Sequence, residues 1–215
     1  MQLTDIKTLL SQSLDEELLT DKQKSVLQSS LKLFADKGFD KTTTSDIAKL
    51  AGVAEGTVYK HFNNKQNILN SILKPFIKGV IPKAANEFSE ELNNNRFDNL
   101  NDFLSYIVRD RLTFAVENRF IAKIFIQELF QKPDLNRELV KIIKERLITN
   151  IDPIISNFKR NNELIDIDAN KFLQYIFSIL IGYIIPVILN NEYKKVNIDK
   201  ISNEAVSFLM NGMHP

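Results

Sequence analysis

The sequence contains no cysteine. That excludes a disulfide framework, a cysteine-ligated zinc or iron–sulfur centre and a thiol nucleophile. It has two histidines, His61 and His214, and neither sits in a His-x-Glu or Glu-x-x-His pairing that builds a metal site. A glycine-rich phosphate loop is also missing. These absences argue against an enzyme, and neither a cofactor nor a metal is expected. Glycine and proline number six each in 215 residues, few for a β-rich or loop-rich chain, so the backbone should be mostly helical. No sign of charge dominates, because 28 basic and 27 acidic residues leave +1. That excludes a histone-like tail or a strongly acidic solvating chain. The opening residues, MQLTDIKTLLSQ, lack a basic stretch followed by a continuous apolar core, so a cytoplasmic location is expected.

Long uncharged runs are nearly absent. Phe172 to Leu189, FLQYIFSILIGYIIPVIL, is the exception and is just long enough to span a bilayer. Gln174, Tyr175, Ser178, Gly182, Tyr183 and Pro186 interrupt it. A helix that is apolar all round also suits a protein interior or a subunit interface. The buried reading is preferred, and no membrane partner is expected.

What is present is helical periodicity. Residues 3–19 carry leucines and an isoleucine at helical spacing, so residues 1–20 read as an N-terminal extension of helical pattern. A helix from about Asp21 to Lys37 follows. Gly38 stands where a left-handed C′ residue ends it, and Phe39 supplies the hydrophobic contact. Thr43, with Asp46 three residues on, forms a capping-box variant at the next helix start, and Gly52 ends that helix. A third short helix runs from near Ala54 through Phe62. A fourth starts near Lys65, and Pro75 should kink or end it. Further helices are expected over 83–93, 99–117, 119–131, 134–161, 168–190 and 198–211.

Residues 43–62, TTSDIAKLAGVAEGTVYKHF, have the spacing of a helix-turn-helix. Ala48 is small where two helices cross, and Val58 and Phe62 face inward. The other face presents Glu55, Gly56, Thr57, Tyr59, Lys60 and His61. Gly56 lets backbone come close, and the hydroxyls of Thr57 and Tyr59 suit phosphate oxygens. Lys60 and Lys65 supply charge, and Lys60 reaches toward a guanine edge. The helix start at Thr43 and Thr44 offers free N–H groups to a phosphate. Glu55 reads either as an acceptor for a cytosine or adenine amino group or as a charge favouring a helix N-terminus. Residues 20–70 hold eight lysines and five acids, net +3, and the rest of the chain is net −2.

The stretch 24–69 resembles the DNA-binding domain of the tetracycline-repressor-like (TetR/AcrR) regulators. The signals are Leu33-Phe34, Lys37-Gly38-Phe39, Thr43-Thr44, Ile47-Ala48, Ala51-Gly52-Val53, Gly56-Thr57-Val58-Tyr59, His61-Phe62, Lys65 and Leu69. Ala54 departs from the pattern, since the family often has a serine there that caps the recognition helix. The resemblance implies an all-α fold: a helix-turn-helix DNA-binding domain over 21–66 and a helical effector-binding and dimerisation domain over 67–215. It further implies a homodimer, joined through 168–190 and 198–211, on a roughly palindromic operator. It implies a repressor released by a small effector, with double-stranded DNA as partner. A ligand-independent DNA-binding or protein-interaction factor on the same scaffold is the alternative.

For the effector, the aromatic richness of the second domain favours an apolar or aromatic molecule. Phe103, Phe114 and Phe125, with Tyr106, Arg109, Gln127, Gln174 and Tyr175 as polar groups, are the candidate lining. For any single one of these phenylalanines, ordinary helix packing is the preferred reading.

Overall fold

The computed structural model describes Leu10, Ser13, residues 18–189 and residues 196–215. Most of the extension expected over residues 1–20 lies outside the described residues. Leu10 and Ser13 are helical and buried. Among the described residues the secondary structure is helical, with no strand. The elements are α1 (Asp21–Lys37), α2 (Thr44–Ala51), α3 (Glu55–Phe62), α4 (Lys65–Pro75), a π turn (Phe76–Val80), α5 (Ile81–Asn94), α6 (Leu100–Glu117), α7 (Arg119–Gln131), α8 (Pro133–Arg160), α9 (Ala169–Leu189) and α10 (Ile198–Met213).

The helix starts follow from capping side chains. Thr20 and Gln23 make a reciprocal capping box at α1, and Thr43 and Asp46 make another at α2. Asn64, Asn99 and Asn197 accept from the first turns of α4, α6 and α10. Each satisfies an N–H group that the helix itself cannot. Gly38 ends α1 with its N–H on the Phe34 carbonyl, at φ 87° and ψ 157°. This differs from the left-handed helical turn expected, because ψ is extended. It is a region that only glycine occupies readily. The Phe39 ring nonetheless folds back to Phe34, with centroids 5.1 Å apart.

Pro75 ends α4, as expected. The α-helical bonding of α4 ends there, yet the chain continues without a loop through the π turn into α5. The Ile81 N–H reaches the carbonyl of Phe76, five residues back. A proline offers no N–H and crowds the carbonyl one turn earlier. Widening to i→i+5 bonding lets the chain pass Pro75 and Pro82 while staying helical.

The chain forms two compact units. One comprises Gln2–Ala84 with Phe120–Leu139, and the other Ala85–Arg119 with Val140–Pro215. The first extends past the boundary expected at residue 66. The reason is packing, since Phe125 of α7 meets Phe76 at 5.0 Å and Lys132 donates to Asn70 of α4 at 2.6 Å. The second unit centres on α6, which packs against α9 and α10. Phe103 lies at its heart, fully buried among Phe97, Phe158 and Phe172.

Candidate nucleic-acid interface

The helix-turn-helix is built from short-range constraints. Gly52 takes φ 68° and ψ 29°, the left-handed conformation that L side chains disfavour. The next N–H, that of Val53, bonds the Ala48 carbonyl at 3.0 Å. This closes α2 and throws the chain back into α3. Ile47, Ala48, Val58 and Phe62 are buried, so α2 and α3 cross on their apolar faces. Ser25 of α1 donates to the Ala51 carbonyl at 2.9 Å and fixes the end of α2. Ala54 precedes α3 without a side-chain cap, as its methyl group requires.

The opposite face of α3 is open. Glu55, Gly56, Tyr59, Lys60 and His61 are exposed and Thr57 is partly so. Gly56 is helical, and a Cβ built on it would meet nothing within 4 Å. The fold therefore does not require glycine there. Thr44, at the start of α2, turns toward α3. Its hydroxyl lies 2.8 Å from the Glu55 carboxylate and 3.1 Å from the Tyr59 hydroxyl. The backbone N–H of Thr43 holds the Asp46 carboxyl below the usual carboxylate range, with help from the Thr43 hydroxyl and Lys37. Lys37 stands 3.4 Å from Asp46.

Lys65 is placed differently from an outward charge. Its ammonium bonds the carbonyls of Phe39 at 2.6 Å and Asp40 at 3.3 Å. It also sits 4.3 Å from the centroid of the Phe39 ring. It braces the loop between α1 and α2. A lysine four residues before an apolar Leu69 gives no hint of this, because its partners are backbone atoms 26 and 25 residues earlier.

The family model of bacterial regulatory proteins, tetR family, matches residues 26–72. That span contains the helix-turn-helix and the helices on either side of it. The uncharacterised HTH-type transcriptional regulator YhgD of Bacillus subtilis is 31% identical over 131 residues, which is 59% of this chain and 68% of YhgD. The chain belongs to the TetR family of transcriptional regulators. The fatty acid metabolism regulator protein of Bacillus subtilis is 23% identical over 194 residues, 90% of this chain and 96% of its own. In structure, the transcriptional regulator FadR from Bacillus subtilis, solved with stearoyl-CoA, matches with a TM-score of 0.62 at 22% identity. The match covers 88% of this chain and 98% of that one.

In this TetR-family chain the candidate effector residues fall in several settings. Phe103 is fully buried in the aromatic cluster. Tyr106 is half-buried, donates to Glu91 at 3.0 Å and packs on Phe97. Burial, aided by Glu91, pushes its hydroxyl up to about 12. Arg109 is exposed and pairs with Asp199 at 2.6 Å. Gln174 and Tyr175 are exposed on α9, where Lys171 donates to the one and lies over the ring of the other. Phe125 and Gln127 belong to the other compact unit. Phe125 is buried against Phe76, and Gln127 is exposed.

Sequence reasoning passed over Arg111. Its guanidinium lies 3.9 Å from the centroid of Phe88 and 4.9 Å from that of Phe114. Its Nε donates to Asp110 at 2.7 Å. The Arg111–Phe114 spacing of three along a helix was the available signal.

Proposed function

We propose that this regulator is a homodimeric repressor that holds a roughly palindromic operator and is released by a small apolar effector. The observation that carries the DNA reading is the two-sided character of α3. Val58 and Phe62 are buried, while Gly56, Tyr59 and Lys60 face outward from a tight turn. In this account α3 enters the major groove, and Thr43, Thr57, Lys60 and His61 meet the phosphates and base edges beside it. Lys65 acts by bracing the loop that leads into α2. The protein works in the cytoplasm, where its operator is.

The dimer is proposed through α9 and α10. Only about a third of the apolar stretch in α9 is buried within the chain. Ile181 on α9 and Phe208 on α10 are 51% and 67% exposed. A second copy would cover these faces and give the uncharged run a protein environment, with no bilayer needed. Among the relatives matched over most of the chain, one is a fatty acid metabolism regulator protein and one was solved with stearoyl-CoA. A long-chain acyl thioester is accordingly the first effector to try. Release needs only that the effector bind the form of the protein that fits DNA less well.

The test is a titration of full-length protein on its operator, with and without a long-chain acyl-CoA. A tenfold or larger loss of affinity is expected. Unchanged affinity with each ligand that binds would favour the ligand-independent alternative. The dense packing of Phe103 among Phe97, Phe158 and Phe172 is the observation on that side.

A further inference from the structure

The corner where α2 meets α3 has its protons already assigned. A carboxylate only accepts hydrogen bonds, and each hydroxyl has a single proton. The Thr44 proton goes to Glu55 across 2.8 Å. The 3.1 Å contact between the Thr44 and Tyr59 oxygens then needs the Tyr59 proton. Both hydroxyls spend their protons inside the cluster and turn only lone pairs outward. The exposed carboxylate of Glu55 adds a negative charge beside them. A phosphate brings acceptors and negative charge, so it finds neither donor nor attraction here. An exocyclic amino group, with N–H bonds pointing outward in the major groove, is the complementary partner.

We infer that Glu55, held by Thr44 and Tyr59, is a specificity gate that admits a cytosine or adenine amino group and turns the DNA backbone away. This rests on the proposal that α3 reads DNA. It assigns one group of that surface to discrimination and not to affinity. Ala54 contributes, since it supplies no hydroxyl to compete for this corner. Glu55 is then a residue that lowers binding to unrelated DNA in exchange for selectivity.

The experiment compares full-length wild type, Glu55→Ala and Glu55→Gln. The duplexes are a genomic fragment selected by the wild type, its single-base-pair variants, and an unrelated duplex of equal length. Both substitutions remove the charge, and Glu55→Ala also leaves the Thr44 proton without its carboxylate acceptor, so each should bind the unrelated duplex several-fold more tightly than wild type. Glu55→Ala should also lose about tenfold discrimination at one base pair per half-site and keep it elsewhere. If Glu55→Ala ranks every single-base variant as wild type does, the gate is overturned while DNA reading by α3 stands. A uniform loss of affinity for all duplexes would overturn it as well, by making Glu55 an ordinary affinity residue. If wild type selects no fragment over the unrelated duplex, the DNA reading fails and the gate with it. Glu55 is exposed, and a far-ultraviolet spectrum matching wild type would show that the variants are folded.

Discussion

Gly56 separates what the fold needs from what a partner needs. It lies inside α3 with ordinary helical backbone, and a methyl group there would touch nothing in the chain. Helix propensity alone favours alanine by about 0.5–1 kcal/mol. Gly56→Ala is therefore expected to raise the melting temperature slightly while weakening operator binding, because the added methyl meets the DNA. Thermal melts and operator titrations on the same preparation check both directions. A gain in stability with no change in affinity would show that Gly56 faces away from DNA. Gly52 is the opposite case. Its φ of 68° is a demand of the fold itself, and that demand was legible in the sequence because Gly-Val follows a capped helix of the right length. Arg111 was not legible. Its place between two phenyl rings depends on how α5 and α6 face each other, and that is a matter of packing.

At the scale of elements, short-range chemistry sets the boundaries. The reciprocal bonds of Thr43 and Asp46, at 3.0 and 3.2 Å, fix where α2 begins. Thr43→Ala should remove the hydroxyl's share of that cap and cost about 1 kcal/mol. In a chain of this size that is a fall of about 2–4 °C in melting temperature. An unchanged melt would show that the cap adds nothing to stability. The caps and glycine stops were readable because each acts within four residues. The π turn was not. Pro75 alone signals an interruption, and whether the chain breaks or widens depends on what holds both sides together. Here Phe76, Ile77 and Val80 are all buried, so staying helical keeps three apolar side chains out of water. Full burial of each is worth about 1.5–3 kcal/mol, which outweighs one lost backbone bond at about 0.5–1.5 kcal/mol.

At the scale of the whole molecule, the proposed DNA reading and the proposed dimer depend on each other. One α3 has few groups with which to grip a duplex. Two of them, fixed about one helical turn apart, bind the same DNA cooperatively. The apolar faces of α9 and α10 carry that linkage in this account, and Phe208, two-thirds exposed, is the point at which to break it. The measurement is selection of genomic fragments by purified full-length protein, run beside Phe208→Asp. Wild type is expected to enrich fragments that share an inverted repeat, with half-site centres about 34–36 Å apart or a multiple of that. Phe208→Asp should be monomeric and enrich none. Recovery of fragments in proportion to their abundance by the wild type, with no shared repeat, would contradict the account.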